Sequence, residues 1–106
     1  MADVYKTLYR AQLPDSVATL YTATGVAAII KHISVVNNDT VDLTFSLYRN
    51  GTTAAYVFSP STAVSVPAGG SVEWDGTMAL EASGTIAGVA SVASKLTCII
   101  DGDEVT

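Results

Sequence analysis

The chain has 106 residues, of which 49% are hydrophobic and 14% charged, and its formal net charge is −5 at pH 7. This length fits one domain, and the five scattered Lys and Arg residues exclude the basic cluster that nucleic acids or anionic membranes require. Charged residues make up about a quarter of an average soluble domain, so this surface is poor in charge. We expect other subunits to cover part of it, because a small domain has little interior for so many Val, Ile and Leu.

The N-terminal segment has no basic region followed by an apolar run, so it does not resemble a secretion signal. No apolar run approaches the length of about 18 residues that a membrane span needs. Residues 4–13 are rich in Tyr and Leu and form either a strand or a docking arm. We therefore divide the chain into an N-terminal arm, residues 1–16, and a β-sandwich domain, residues 17–106.

Short β-branched runs separated by turn residues follow the arm. Residues 17–22 predict a strand, and residues 26–37 predict a long, largely buried strand with a bulge at Lys31-His32. After an Asn-rich turn, residues 40–48 alternate between apolar and polar side chains, which is typical of a half-buried strand. Asn50-Gly51 is a strong hairpin signal because a type I′ turn needs two residues that tolerate positive φ.

The second half of the chain repeats this pattern, with turns expected at Asp75-Gly76 and Ser83-Gly84, and Asp101-Gly102 and a short tail follow the last strand. The spacing of strands and turns predicts an all-β fold, an antiparallel sandwich or barrel. Among these we expect a jelly-roll-like β-sandwich of eight or nine strands. The remaining predicted strands are residues 53–58, 63–66, 72–74, 78–82, 85–93 and 95–100.

One histidine and one cysteine leave little room for catalytic or metal chemistry. His32 lacks a nucleophile motif, so we interpret it as a hydrogen-bonded strand residue. Two such ligands cannot complete a tetrahedral zinc site. Asp101, Asp103 and Glu104 are not part of a calcium-binding loop, so a solvated chain end is the simpler interpretation. We expect no enzyme activity, metal or cofactor, and a buried, inert Cys98.

Trp74 lies between Glu73 and Asp75, which is the best candidate for carbohydrate chemistry in this chain. Both carboxylates point to the same side if the strand continues, and an exposed indole stacks on a sugar ring. The alternative is a polar strand face with Trp74 turned toward the core or an interface. A carbohydrate-binding or receptor-binding module therefore stays open as a function of a different class.

Aromatic and long apolar side chains outside the predicted core are the candidates for contacts with other subunits. Tyr and Trp bury much area with few rotatable bonds, which favours them at interfaces. Tyr48 lies opposite the apolar set of its strand, so we expect it to face outward. The candidate interface residues are Tyr5, Leu8, Tyr9, Tyr48 and Trp74.

Residues 20–106 carry, in order, short motifs that resemble those of small tailed-bacteriophage virion proteins. A Leu-Tyr-Thr opening at residues 20–22 leads into a Val/Ile-rich strand, an Asn-containing turn and an alternating strand. The later motifs are Val-Pro-Ala-Gly-Gly-Ser (66–71), Leu-Glu-Ala-Ser-Gly-Thr-Ile (80–86) and the closing Gly-Asp-Glu-Val-Thr (102–106).

Proteins of this group are accessory structural components of phage heads, necks or tails. The resemblance implies a non-enzymatic virion protein, assembled in the bacterial host cytoplasm, whose partners are the major capsid protein or the neck and tail proteins. We expect a capsid decoration, or cement, protein that forms a homo-oligomer such as a trimer and bridges capsid subunits. A neck, tail or fibre-base accessory protein is the alternative placement.

Overall fold

The computed structural model describes residues 3–49 and 64–105, and within these residues it contains eight β-strands and no helix. The all-β prediction is therefore confirmed. The strands are β1 (Asp3–Gln12), β2 (Ala18–Thr22), β3 (Ala27–Asn37), β4 (Leu43–Arg49), β5 (Val64–Val66), β6 (Ser71–Leu80), β7 (Thr85–Ala90) and β8 (Leu96–Val105).

The strands form two four-stranded sheets in which every pair is antiparallel. The first sheet has the order β1-β8-β3-β6, and the second has the order β2-β7-β4-β5. Chain neighbours alternate between the sheets at several points, so the topology is that of a jelly roll. The expected jelly-roll-like sandwich is thus confirmed, with eight strands in the described residues.

One hydrophobic core lies between the sheets. Alternate residues of β3 are buried, and they meet the alternate apolar residues of β4 from the opposite sheet. This is the period of two that the sequence predicts for half-buried strands. The largest fully buried core side chains are Phe45, Leu13, Ile30, Ile33, Leu47, Leu80, Ile86, Leu96, Ile100, Val35 and Val66.

The predicted bulge in β3 is confirmed. The pairing of β3 with β8 passes from Ile30↔Gly102 to His32↔Asp101, so Lys31 has no partner in that ladder. A second irregularity lies in β1, where Leu8 is the extra residue between Thr7 and Tyr9. Each bulge shifts which residues face the core, and both shape the surfaces described below.

The expected turn at Asp75-Gly76 is wrong. A single strand, β6, runs from Ser71 to Leu80 through this dipeptide and replaces the two predicted strands at 72–74 and 78–82. Its pairing with β3 is irregular at the point opposite Lys31. Gly76 also provides space for the indole of Trp74, which an added Cβ at Gly76 would contact at 2.9 Å.

The expected end of the last strand at Ile100, with a short acidic tail after it, is also wrong, because β8 continues to Val105. This strand lies between β1 and β3, and ladder bonds to both neighbours hold it extended. Gly102 is required at a close backbone approach, since a Cβ there would collide with the carbonyl oxygen of Ile29.

Most of the proposed N-terminal arm lies in a sheet, since β1 pairs with β8 from Asp3 to Gln12. The division of the chain at residue 17 stays a prediction. The expected hairpin at Asn50-Gly51 and the strand at 53–58 lie outside the described residues.

Candidate interaction surfaces

Three of the candidate interface residues lie on β1, but they occupy different environments. Tyr5 is 63% exposed and pairs with Asp103 on the outer face of the first sheet. Leu8 and Tyr9 are half-buried and pack against the core, and the Tyr9 hydroxyl donates to the carbonyl of Gln12 at 3.3 Å. Of these three residues, only Tyr5 is exposed.

Tyr48 is not available on the surface, contrary to the prediction that it faces outward. It is 7% exposed although it does not belong to the core cluster. Ser46, on the same side of β4, is also 7% exposed, so this side of the strand is covered. Alternation predicts correctly that Tyr48 points away from the core, but it carries no information about what packs over the outer face of the sheet.

Trp74 and its neighbours point to opposite faces of β6. Trp74 pairs with the buried Ile33 and packs against the core as a half-buried side chain. Glu73 and Asp75 share the outer face, as predicted, where both approach His32. The indole and the two carboxylates therefore do not form one sugar-binding surface. Tyr5 and Trp74 are also apart, because β1 and β6 are the two ends of the strand order in their sheet.

His32 is the centre of a charged group on the outer face of the first sheet, which we call the His32 cluster: His32, Glu73, Asp75 and Asp101. The Nδ1 of His32 lies 2.5 Å from Oδ1 of Asp75, and its Nε2 lies 3.4 Å from Oε1 of Glu73. Asp101 lies opposite His32 on β8 and accepts a hydrogen bond from Thr7 at 2.9 Å.

The carboxylates of this cluster favour the charged imidazole. The hydrogen bond to Asp75 is the main reason that the pKa of His32 is raised, and the charges of Asp75, Glu73 and Asp101 add to it. In the described ranges, no three His, Cys, Asp or Glu side chains are placed to hold a metal ion. The contacts of His32 with Asp75 and Glu73 link β3 to β6 on the outer face of the sheet.

A second charged group, near the C-terminal end of β8, links the two sheets. The Tyr21 hydroxyl donates to Oε2 of Glu104 at 2.6 Å, and Nζ of Lys6 lies 2.8 Å from Oε1 of the same carboxylate. Lys6 and Tyr21 together lower the pKa of Glu104, whereas burial and Glu104 raise the pKa of Tyr21. These groups are structural, because each is satisfied by the others.

Cys98 is buried in the core, as predicted. Burial raises the pKa of its thiol to about 12, so the nucleophilic thiolate is not populated at neutral pH.

The feature that sequence reasoning missed lies at one end of the sandwich. Because the strands are antiparallel, all connections from an odd to an even strand meet at this end. We call it the loop end, and it consists of residues 13–17, 38–42, 67–70 and 91–95.

Three of these connections expose a valine. The described residues expose four large hydrophobic side chains, of which Val17 (44%), Val41 (55%) and Val92 (41%) lie at the loop end and Tyr5 lies elsewhere. Within the described residues, the exposed apolar side chains that other subunits could cover are therefore concentrated at these three valines and at Tyr5. No sequence signal marks these positions, because Val41 and Val92 continue the apolar alternation of residues 43–47 and 86–90, a pattern that predicts buried side chains.

No protein-family model and no curated protein sequence matches this chain. The part of the chain that the structure describes has no helix long and apolar enough to cross a membrane.

Proposed function

We propose that the chain is a non-enzymatic structural protein of a bacteriophage virion, and that it decorates the capsid as a cement protein. The observation that carries the proposal is a jelly-roll sandwich built from a chain with only 14% charged residues. Depletion of charge is typical of the central part of surfaces that meet other proteins. The buried apolar side chains pack in one core, where they stabilise the fold. We therefore assign the function to the surface of the domain.

The fold is consistent with this role but does not specify it. Jelly rolls occur in viral capsid and lectin domains, and one fold supports many functions. The order of the motifs in residues 20–106, which resembles that of small phage virion proteins, narrows the choice. The fold therefore supports the proposal only by analogy, whereas the motifs favour a phage virion protein in particular.

A cement protein must be rigid as well as adhesive. The described residues contain no buried side-chain nitrogen or oxygen without a hydrogen-bond partner. Buried Asn37 illustrates this, since its side chain bonds to the backbone of three residues. A surface that is already ordered loses little conformational entropy when it binds, so more of the contact energy stabilises the complex.

The proposed mechanism is burial of surface across seams between capsid subunits. A typical interface buries about 800 Å² on each partner. At about 25 cal/mol per Å², the share of each partner corresponds to roughly 20 kcal/mol of gross stabilisation before association costs. Local opening of the shell would have to remove these contacts as well as those between capsid subunits. The cement therefore stabilises the shell without any catalytic step.

Localisation in purified particles tests the proposal. Antibody against the full chain is applied to particles of the phage that encodes it, and the label is located by electron microscopy. We expect label over the whole head, and we expect particles without the chain to release DNA at a lower temperature. Label confined to the neck or tail would reject decoration and support the accessory alternative, and absence from particles would overturn a virion role.

The proposal also includes a homo-oligomer, such as a trimer, which the mass of the intact protein in solution tests. Removal of residues 1–16 is a poor test because it deletes β1 and leaves one side of β8 unpaired. Tyr5→Ala is the sharper variant, since it truncates an exposed side chain and keeps the backbone ladder. A monomer at all concentrations would contradict the oligomer. A glycan-array signal of the wild-type chain that a folded Trp74→Ala variant lacks would favour the receptor-binding alternative.

A further inference from the structure

We propose that the loop end is the docking surface of this module, and that it binds a protein surface whose apolar patch is bordered by Lys or Arg. This inference rests on the proposed function and names the face that performs it. Its basis is the position of three exposed valines, the charges around them and the hydrogen bonds that hold the loops.

The three valines lie on adjacent connections. The second sheet has the order β2-β7-β4-β5, so the connection with Val17 precedes β2, that with Val92 follows β7, and that with Val41 precedes β4. Neighbouring strands are about 4.8 Å apart, so three of them span roughly 10 Å. The valines therefore lie on three adjacent connections at one end of the sheet, and we call them the valine patch.

Hydrogen bonds between the loops fix this patch in place. The amide of Ala90 donates to the carbonyl of Pro14 at 2.8 Å, which holds residues 13–17 against the end of β7. Ser91 and Thr44 are joined by two hydrogen bonds, of 2.8 and 3.1 Å, so the connections after β7 and before β4 are held together. Further bonds join Asn38 to Lys95 (3.0 Å), Asn38 to Thr97 (3.1 Å) and Ala68 to Asp42 (2.9 Å).

The charges at the loop end select the occupant. The four connections carry Asp15, Asp39 and Asp42 but only one cation, Lys95. A second copy docked by the same end would place carboxylates against carboxylates, which disfavours self-association through this face. Nucleic acid is disfavoured for the same reason. A partner with a complementary shape, apolar in the middle and basic at the rim, gains both apolar burial and charge attraction.

The test measures binding of the purified full chain to phage particles prepared without it, by co-sedimentation. Val41→Lys and Val92→Lys each place a cation in the patch, and we expect each to weaken binding at least tenfold. Ala82→Lys is the matched control, because Ala82 is exposed in the connection at the opposite end, and we expect it to bind within twofold of wild type. Asp15→Lys should weaken binding most at low salt, since screening reduces the charge contribution.

The outcomes separate this inference from the proposed function. If the wild type binds and Val41→Lys and Val92→Lys bind equally well, the loop end is not the docking face. If Tyr5→Lys then loses binding in the same assay, docking is assigned to β1 instead. Wild-type chain that neither binds particles nor occurs in them would overturn the virion role itself. The solution mass of Val92→Lys should equal that of wild type, and a fall to monomer would show that the loop end joins copies of this chain. Thermal unfolding of each variant confirms that it is folded.

Discussion

The hydroxyl of Tyr21 on β2 lies 2.6 Å from the carboxylate of Glu104 on β8, and this bond joins the two sheets of the sandwich. A bond from a neutral donor to a carboxylate is stronger than one between neutral groups. Because Tyr21 is only 9% exposed, water cannot easily replace its partner. The pair therefore closes one end of the core.

Removal of this hydroxyl should destabilise the fold. We expect Tyr21→Phe to lower the free energy of unfolding by about 1–2 kcal/mol, since the lost bond is to a charged group. The measurement is urea denaturation at pH 7. Tyr9→Phe is the control, because its hydroxyl makes a long bond of 3.3 Å at an exposed site, and its effect should stay below about 0.5 kcal/mol. Equal losses in the two variants would contradict this role for Tyr21.

The Glu104 carboxylate should make stability depend on acid pH. Lys6 and Tyr21 lower its pKa in the folded chain, so the folded state prefers the ionised form. The resulting stabilisation is fully present above the unfolded pKa of about 4.3 and is lost as the pH falls through the lower folded pKa. We expect Glu104→Gln to be less stable than wild type at pH 7, with the difference shrinking below about pH 4. A difference that stays constant with pH would exclude this linkage.

Most of the core could be predicted from the sequence, but the predicted strand ends near Asp75 and Ile100 are wrong. Alternation in β4 and the long apolar run of β3 were enough to predict both strands, because one buried face imposes a period of two. Asp75-Gly76 predicts a turn and Asp101-Gly102 predicts the end of the last strand, yet both dipeptides lie within strands. A local turn preference is weak compared with the ladder bonds that neighbouring strands offer, and those neighbours are distant in sequence.

The candidate surfaces were harder to predict because they depend on register. His32 and Asp75 are 43 residues apart, and only the pairing of β3 with β6 brings them together. The side to which Tyr48 points followed from alternation, whereas its burial did not. The valine patch needed the order of strands in the second sheet, which a single sequence does not reveal.

Gly102 should tolerate no side chain. A Cβ there would meet the backbone of Ile29, which cannot move without disturbing β3, so we expect Gly102→Ala to cost about 3 kcal/mol or to prevent folding. Gly25→Ala is the matched comparison, because Gly25 has φ 71° but open space around it. It should cost about 1 kcal/mol through backbone strain alone. Thermal unfolding measures both, and a smaller loss for Gly102→Ala than for Gly25→Ala would contradict the close approach.

His32 should titrate above the usual value of about 6.5 for histidine. It is the sole histidine, so its NMR signals are assigned without ambiguity. We expect Asp75→Asn to lower the pKa of His32 more than Glu73→Gln does, because the Asp75 oxygen is at 2.5 Å and the Glu73 oxygen at 3.4 Å. The reverse order would show that Glu73 is the main partner.

The same group predicts a small loss of stability at higher pH. A raised folded pKa favours the protonated form, so its stabilisation is fully present below the unfolded pKa and disappears as the pH rises through the folded pKa. Asp75→Asn should reduce this dependence, because it removes the main partner of His32 and leaves only the charges of Glu73 and Asp101. The measurement is urea denaturation of the wild type and of Asp75→Asn between about pH 5 and pH 9, in steps of about half a pH unit.

Asn37, the last residue of β3, should be the polar residue whose loss most disturbs the neighbouring loop end. Its side chain is 1% exposed, donates to the carbonyls of Val41 and Val66 at 2.9 and 3.0 Å, and accepts from the amide of Asp39 at 2.8 Å. Asn37→Ala leaves three backbone groups without a partner, so we expect a loss of about 2–4 kcal/mol. Asn38→Ala removes one exposed bond and should cost below about 0.5 kcal/mol. Amide exchange should also quicken in residues 38–42 of Asn37→Ala, and unchanged exchange there would mean that Asn37 does not hold the loop that carries Val41.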